Sequence, residues 1–258
     1  MISIKTDEEI EILREGGRGL AQILQKIIEA VKPGISTYEL DRLAESLIFE
    51  FGGVSSFKGY RAKKIKAPYP ASLCISINDE VVHGVPRKDR ILRGGDIIGL
   101  DIGMKWPRKG GLYTDMAVTI GVGKISPEAE RLIRLTKEAL DIGVATVRPG
   151  VHIGDISHAI QKHFEKHKLG IIRDLAGHGV GYKVHEEPLI PNFGQAGKGP
   201  ILKEGMVLAL EPMATLGDWR IILKDDGWTF KTTDNSLAAH FEQTIAITEK
   251  GIEILTIS

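Results

Sequence analysis

The sequence predicts an α+β domain built from two related halves that face each other across a pseudo-twofold axis. Two observations carry this expectation. The hydrophobic period switches from helical to strand-like twice along the chain, so each half reads helix, helix, strands. Four short segments also recur in the same order, 102 to 127 residues apart. Val31-Lys-Pro-Gly-Ile35 returns as Val147-Arg-Pro-Gly-Val151, and His83-Gly-Val-Pro86 as His185-Glu-Glu-Pro188. Gly95-Asp-Ile-Ile-Gly-Leu-Asp101 returns as Gly205-Met-Val-Leu-Ala-Leu-Glu211, and Thr114-Asp115 as Phe241-Glu242. Two copies are too few for a solenoid, which needs about three. One domain over 1–258 is expected, with the repeat running roughly over 10–122 and 126–250.

The elements follow in order. Leu20, Ile23, Leu24, Ile27, Ile28 and Val31 form one face of an amphipathic helix that Pro33 and Gly34 stop. Leu40, Leu43, Leu47, Ile48 and Phe51 define a second helix, with Ser36 or Thr37 as its cap, and Gly52 and Gly53 end it. From about residue 70 the runs SLCISI, DIIGLDIG and DMAVTIGVG read as strands. A third helix is expected from about Pro127 to Thr146 and a fourth from about Ile153 to His167, with a second block of strands after Gly170.

Composition narrows the function. The 258 residues carry 34 Lys plus Arg against 34 Asp plus Glu, and this zero net charge argues against general attraction to DNA or to an anionic membrane. The single Cys74 excludes an intrachain disulfide and a cysteine zinc finger, and suits a reducing compartment. The opening MISIKTDEEIEILREGG is acidic where a signal peptide is cationic, and no stretch approaches ~18 consecutive apolar residues. A cytoplasmic protein is expected.

The chemistry sits in acidic residues within apolar strands. Asp101 and Glu211 occupy matching places in the halves, as do Asp115 and Glu242. A carboxylate among buried strand residues is costly unless it is paired, hydrogen-bonded or bound to metal. Across a twofold axis the four would converge, and their repulsion calls for a cation. Oxygen ligands with some imidazole suit Mn, Fe, Co or Zn. His178, in Gly177-His-Gly-Val-Gly181, has glycines that allow close backbone approach, and His83 and His185 share matched contexts. His152, His158 and His240 lack such support and read as structural or solvent-exposed.

Three other patterns carry no catalytic site. His163-Phe-Glu-Lys-His167 spaces two histidines at i and i+4, but the zincin pattern needs Glu directly after the first His. Gly121-Val-Gly-Lys-Ile125 lacks the Ser or Thr and the upstream glycine of a phosphate loop. Cys74 lies inside an apolar strand, where an inert thiol is the common state.

With these residues in hand, the chain resembles the type I methionine aminopeptidases of peptidase family M24. The resemblance rests on SLCISINDEVVHGVP, GDIIGLDIG, YTDMAVTIG, GHGVGYKVHEEP, VLALEPM and KDDGWTFKTTDNSLAAHFEQTI in the family's order. It implies the pita-bread fold shared with aminopeptidase P, prolidase and creatinase, a curved antiparallel sheet covered by helices. It implies two divalent ions, Co, Mn, Fe or Zn, held by Asp101, Asp115, His178, Glu211 and Glu242, and an activated water that attacks the first peptide carbonyl. Glu211 would shuttle the proton, His185 would steady the carbonyl or oxyanion, and His83 would bond near the scissile nitrogen. Tyr69, Cys74, Trp228 and Val184 would line the methionine pocket, and a monovalent cation would sit near Asn78.

The implied substrates are nascent polypeptide N-termini with a small second residue, and the implied state is a monomer. Proline-directed relatives, aminopeptidase P or prolidase, and a non-catalytic pita-bread binding protein are the alternatives. The chain departs from the family by an insertion, RAKKIKAP, between Gly59-Tyr60 and Tyr69-Pro70, which leaves the place of Tyr60 open. Lys58, Arg61, Lys63, Lys64 and Lys66 make this segment basic, a candidate contact for ribosomal RNA.

Overall fold

The structure is a computed structural model that describes residues 2–62, 67–249 and 251–257. In chain order the elements are α1 (Asp7–Ala30), α2 (Thr37–Glu50), β1 (Val54–Ser55), β2 (Leu73–Ile77), β3 (Glu80–Val82), β4 (Ile97–Trp106) and β5 (Leu112–Gly121). There follow α3 (Pro127–Thr146), α4 (Ile153–Lys166), β6 (Gly170–Ile171), β7 (Ala176–Gly179), β8 (Glu186–Pro191), β9 (Val207–Leu210) and β10 (Met213–Thr215). The chain ends through β11 (Ile221–Leu223), β12 (Phe230–Thr232), β13 (Ala238–His240), β14 (Gln243–Thr248) and β15 (Gly251–Ile254).

Each helix starts where a polar side chain satisfies a free amide. Ser36 takes the cap of α2 rather than Thr37, accepting from Glu39 N while Glu39 accepts from Ser36 N. Helix α1 begins thirteen residues before Leu20, at a second such box formed by Thr6 and Glu9. Gly16, Gly17 and Gly19 interrupt the apolar pattern there because the helix is in close contact with other elements. A Cβ on Gly17 would meet the Leu255 carbonyl oxygen at 2.4 Å.

The two halves pair alike. In the first, β4 runs antiparallel between β2 and β5; in the second, β9 runs antiparallel between β7 and β14. Helices cover each sheet on the apolar side. Leu20, Leu24, Ile27, Leu40 and Ile48 pack on Leu73, Ile75, Leu100 and Ile102. Leu132, Leu135, Ile156, Ile160 and Phe164 pack on Leu208, Leu210, Ile245 and Ile247. Each such fully buried side chain contributes about 1.5–3 kcal/mol, so both faces are firm supports for what the strands carry at their far side.

The seam between the halves has an unusual construction. Ala117 on β5 and Glu242 exchange both backbone hydrogen bonds, 3.3 and 2.8 Å. Two residues to either side, threonine hydroxyls replace the backbone partners. Thr119 Oγ1 donates to His240 O and accepts from His240 N, at 2.8 and 2.9 Å. Thr244 Oγ1 donates to Asp115 O and accepts from Asp115 N, at 2.7 and 2.9 Å. Three consecutive rungs thus stitch β5 to the 240–244 segment and fix Asp115, Glu242 and His240 relative to one another.

Candidate active site and metal centre

Strand register decides which side chains meet. Asp101 on β4 lies opposite Cys74 on β2 and Ala117 on β5, and Asp115 lies opposite Gly103. Glu211 follows directly on β9, and His178 on β7 lies opposite Ala209. The close approach of β7 to its neighbours depends on the flanking glycines: a Cβ on Gly177 would meet Ala209 O at 2.5 Å.

These residues line one cavity of about 540 Å³ together with His83, His185, Tyr60, Tyr69, Cys74, Phe57 and Trp228. Donor atoms of Asp115, His178 and Glu242 lie within 4.8 Å of one another. His178 Nδ1 is 2.9 Å from Gly179 O, so the neutral ring donates there and turns the Nε2 lone pair toward Glu211 Oε1, 3.6 Å away. No lysine or arginine lies among the described lining residues.

The acids are therefore unbalanced. Burial pushes Asp101 up to about 7, and the nearby Glu211 charge adds to that while His240 opposes it. Burial, then Asp101 and Glu211, push Asp115 well above the carboxylate range; burial, then Asp115, Glu211 and Asp101, do the same to Glu242. Asp101 Oδ1 and Glu242 Oε1 are buried with no hydrogen-bond partner. Orphaned, crowded carboxylate oxygens beside one oriented imidazole are the donor set that a divalent cation satisfies.

The neutral histidines flank this centre. His83 is held at φ 58°, and burial lowers its pKa to about 4. Its Nδ1 has no partner. His185 Nδ1 meets the Tyr60 hydroxyl at 2.9 Å, and its ring stands edge-on to His178 at 4.5 Å between centroids. Desolvation, then His178 and His83, lower His185 as well, to about 3.

The apolar end of the cavity is formed by Phe57, Tyr69, Cys74 and Trp228. Tyr69 and Trp228 meet edge to face at 5.2 Å; Tyr69 donates to Gly84 O and Trp228 Nε1 to Ala67 O. Burial drives the Cys74 thiol up, so it is a wall and no nucleophile. Val184 belongs to the same apolar cluster but does not line this cavity; it borders an adjoining groove with Tyr182, Lys183 and His185.

Tyr60 has a defined place. Gly59 N donates to Tyr69 O and Tyr69 N to Tyr60 O, at 2.8 and 2.9 Å, so the inserted segment is closed at its base and both tyrosines reach the cavity. Of its basic residues, Lys58 is ion-paired with Glu45 at 2.5 Å, and Lys63, Lys64 and Lys66 lie outside the described residues. The Asn78 amide is committed to Asp96 and to Ile97 N.

The sequence gives His240 only a structural or solvent-exposed place, whereas the structure sets it beside Glu211. It is buried, with Nε2 3.3 Å from Glu211 Oε2 and no well-aligned hydrogen bond. It has no matching histidine in the first half, so the repeat did not reveal it. Strand alternation does, because His240 and Glu242 are two apart and share a face. His152 and His158 stay structural, bonded to the carbonyls of Gly199 and Gly194.

The sequence pattern of metallopeptidase family M24 matches residues 11–249. The chain belongs to this family. It is 46% identical over 257 residues to a methionine aminopeptidase of Clostridium acetobutylicum, covering 100% of this chain and 99% of that one. The crystal structure of a methionine aminopeptidase from Thermotoga maritima is 42% identical, with a TM-score of 0.94 and full coverage of both chains. A prolidase from Pyrococcus horikoshii, 22% identical with a TM-score of 0.76, shares the fold alone and is covered over 63% of its length. Membership of M24 carries the pita-bread fold, metal-dependent hydrolysis and the use of divalent metal. Among the described residues no helix is long and apolar enough to cross a membrane.

Proposed function

We propose that this M24 chain is a methionine aminopeptidase that removes the N-terminal methionine from nascent polypeptides whose second residue is small. The observation that carries the proposal is the cavity itself, whose one end holds four crowded acids with an oriented imidazole and whose other end is a sulfur- and aromatic-lined slot. A thioether packs well on such a wall. The fold-only likeness to a prolidase gives the proline-directed reading no comparable support.

On this reading Asp101, Asp115, His178, Glu211 and Glu242 would hold two divalent ions, and the chain acts as one catalytic domain of two related halves. Bound there, the ions would supply Lewis acidity and an activated water at neutral pH. The remaining chemistry falls to side chains. Tyr60 O–H donates to His185 Nδ1, which leaves the His185 Nε2–H to donate to the substrate carbonyl oxygen. His83, neutral and with Nδ1 unengaged, meets the scissile nitrogen. Glu211, bordered by His178 and His240, moves the proton from water to the leaving amine. The Asn78 side-chain oxygen, the atom a monovalent cation would use, already accepts from Ile97 N, so that part of the reading rests on the resemblance alone. A ribosome contact through Lys58, Arg61 and the neighbouring lysines completes the proposal, in a cytoplasmic, monomeric enzyme.

The test is release of methionine from Met-Gly-Met-Met by metal-reconstituted protein. Release from the free peptide and none from its N-acetylated form is the expected result. Cleavage of an X-Pro dipeptide without cleavage of Met-Gly would overturn it. Reversing Lys58 and Arg61 should weaken ribosome co-sedimentation while leaving tripeptide turnover unchanged; unchanged co-sedimentation removes the ribosome contact.

A further inference from the structure

Away from the cavity, a second set of metal-capable side chains stands between the two helices of the second half. His163 and His167 lie one turn apart at the end of α4, with ring centroids 4.8 Å apart. Glu138 on α3 faces them, its Oε2 3.8 Å from His163 Nε2. Glu138, His163 and His167 each offer one donor atom, and these atoms lie within 4.8 Å of one another. All three are partly exposed. Donors bound at about 2.0–2.2 Å to a tetrahedral zinc ion stand roughly 3.3–3.6 Å apart, so small side-chain rotations close the set.

We propose that Glu138, His163 and His167 form a peripheral site for a borderline divalent ion of the zinc or nickel type, which ties the end of α4 to α3. One contact already orients the carboxylate: Arg134 Nη1 donates to Glu138 Oε1 at 2.7 Å, which leaves Oε2 turned to the histidines. His163 Nε2, the nitrogen that faces Glu138, is also 3.0 Å from Leu135 O, so an ion bound there replaces that contact. Lys166 and Arg131 stand close to His167. The same cations weaken attraction for a dication, and three protein donors leave a position for water. The site therefore fills after the buried centre and exchanges freely. The zincin motif is absent and no catalytic step is assigned here.

The experiment is equilibrium dialysis of Zn(II) against protein whose buried centre is already loaded, in wild type, His167→Ala and Glu138→Gln, with thermal unfolding at each zinc concentration. Wild type should bind one equivalent more than either variant, and zinc should raise its Tm but not theirs. Methionine release should be the same in all three. Because His167 caps α4 and its loss risks fraying the helix, the shape-preserving Glu138→Gln carries the test independently. An equal number of zinc equivalents in wild type and Glu138→Gln overturns the site, as does a wild-type protein that takes up no additional zinc.

Discussion

The two half-sheets place their acids alike and their imidazoles differently. Asp101 and Asp115 come from β4 and β5; Glu211 and Glu242 come from the end of β9 and the start of β14. The flanking strands then diverge. Ser76 on β2 lies opposite Gly99, two residues before Asp101, and His178 on β7 lies opposite Ala209, two residues before Glu211. Where one half offers an imidazole, the other offers a hydroxyl within 3.3 Å of Gly84 N. The first half instead uses β2 for Cys74, the wall of the apolar slot. A symmetric scaffold thus gains a polar end and an apolar end, and a substrate is given one direction in which to lie.

The largest expected effect breaks that comparison directly. His178→Ala should lose more than the ~10–100-fold in metal affinity that an outer partner costs, while Ser76→Ala should bind metal like wild type; metal dialysis on both variants decides this, and equal losses would erase the asymmetry. Next comes His185→Ala, which removes the donor aimed at the carbonyl and should lower kcat by roughly 10²–10³-fold with metal content unchanged. His240→Ala should follow, with about 10–100-fold weaker metal binding, because Glu211 loses the imidazole at its Oε2. Wild-type affinity in that variant would return His240 to a purely structural place.

A smaller effect concerns pH. In the metal-free protein Asp101 titrates near 7 against an ordinary 3.8, so between those values the folded chain keeps a proton that the unfolded chain releases. Stability then falls as pH rises through that window. His83, lowered to about 4, has the opposite effect, but only up to its ordinary 6.5. From pH 6.5 to 8 the carboxylates act alone. Metal-free protein should lose Tm over this range and metal-loaded protein should not; a flat metal-free profile would contradict the crowding of acids.

Much of this was legible in the sequence because strand alternation and an ordered repeat are local signals. Asp101, Asp115, His178, Glu211 and Glu242 all lie on the cavity, as do His83, His185, Tyr69, Cys74 and Trp228. Helices α2 and α3 begin where a cap and a proline indicate, and α4 begins at the expected Ile153. Two kinds of feature were hidden. Val184 sits behind the wall because its place depends on how the β7–β8 turn folds over the cluster, which no period encodes. The repeat is blind to His240, which has no counterpart in the first half, and the apolar period is blind to the start of α1, where close-packed glycines interrupt the pattern and only the Thr6–Glu9 box marks the end.

The central claim is that both halves contribute to one metal centre. Manganese dialysis of metal-free protein with Asp101→Asn, from the first half, and Glu242→Gln, from the second, tests it most directly. The account predicts that each single variant loses metal binding, since neither pair of acids forms a site alone. If either variant binds manganese with the stoichiometry and affinity of the wild type, the centre does not join the two halves.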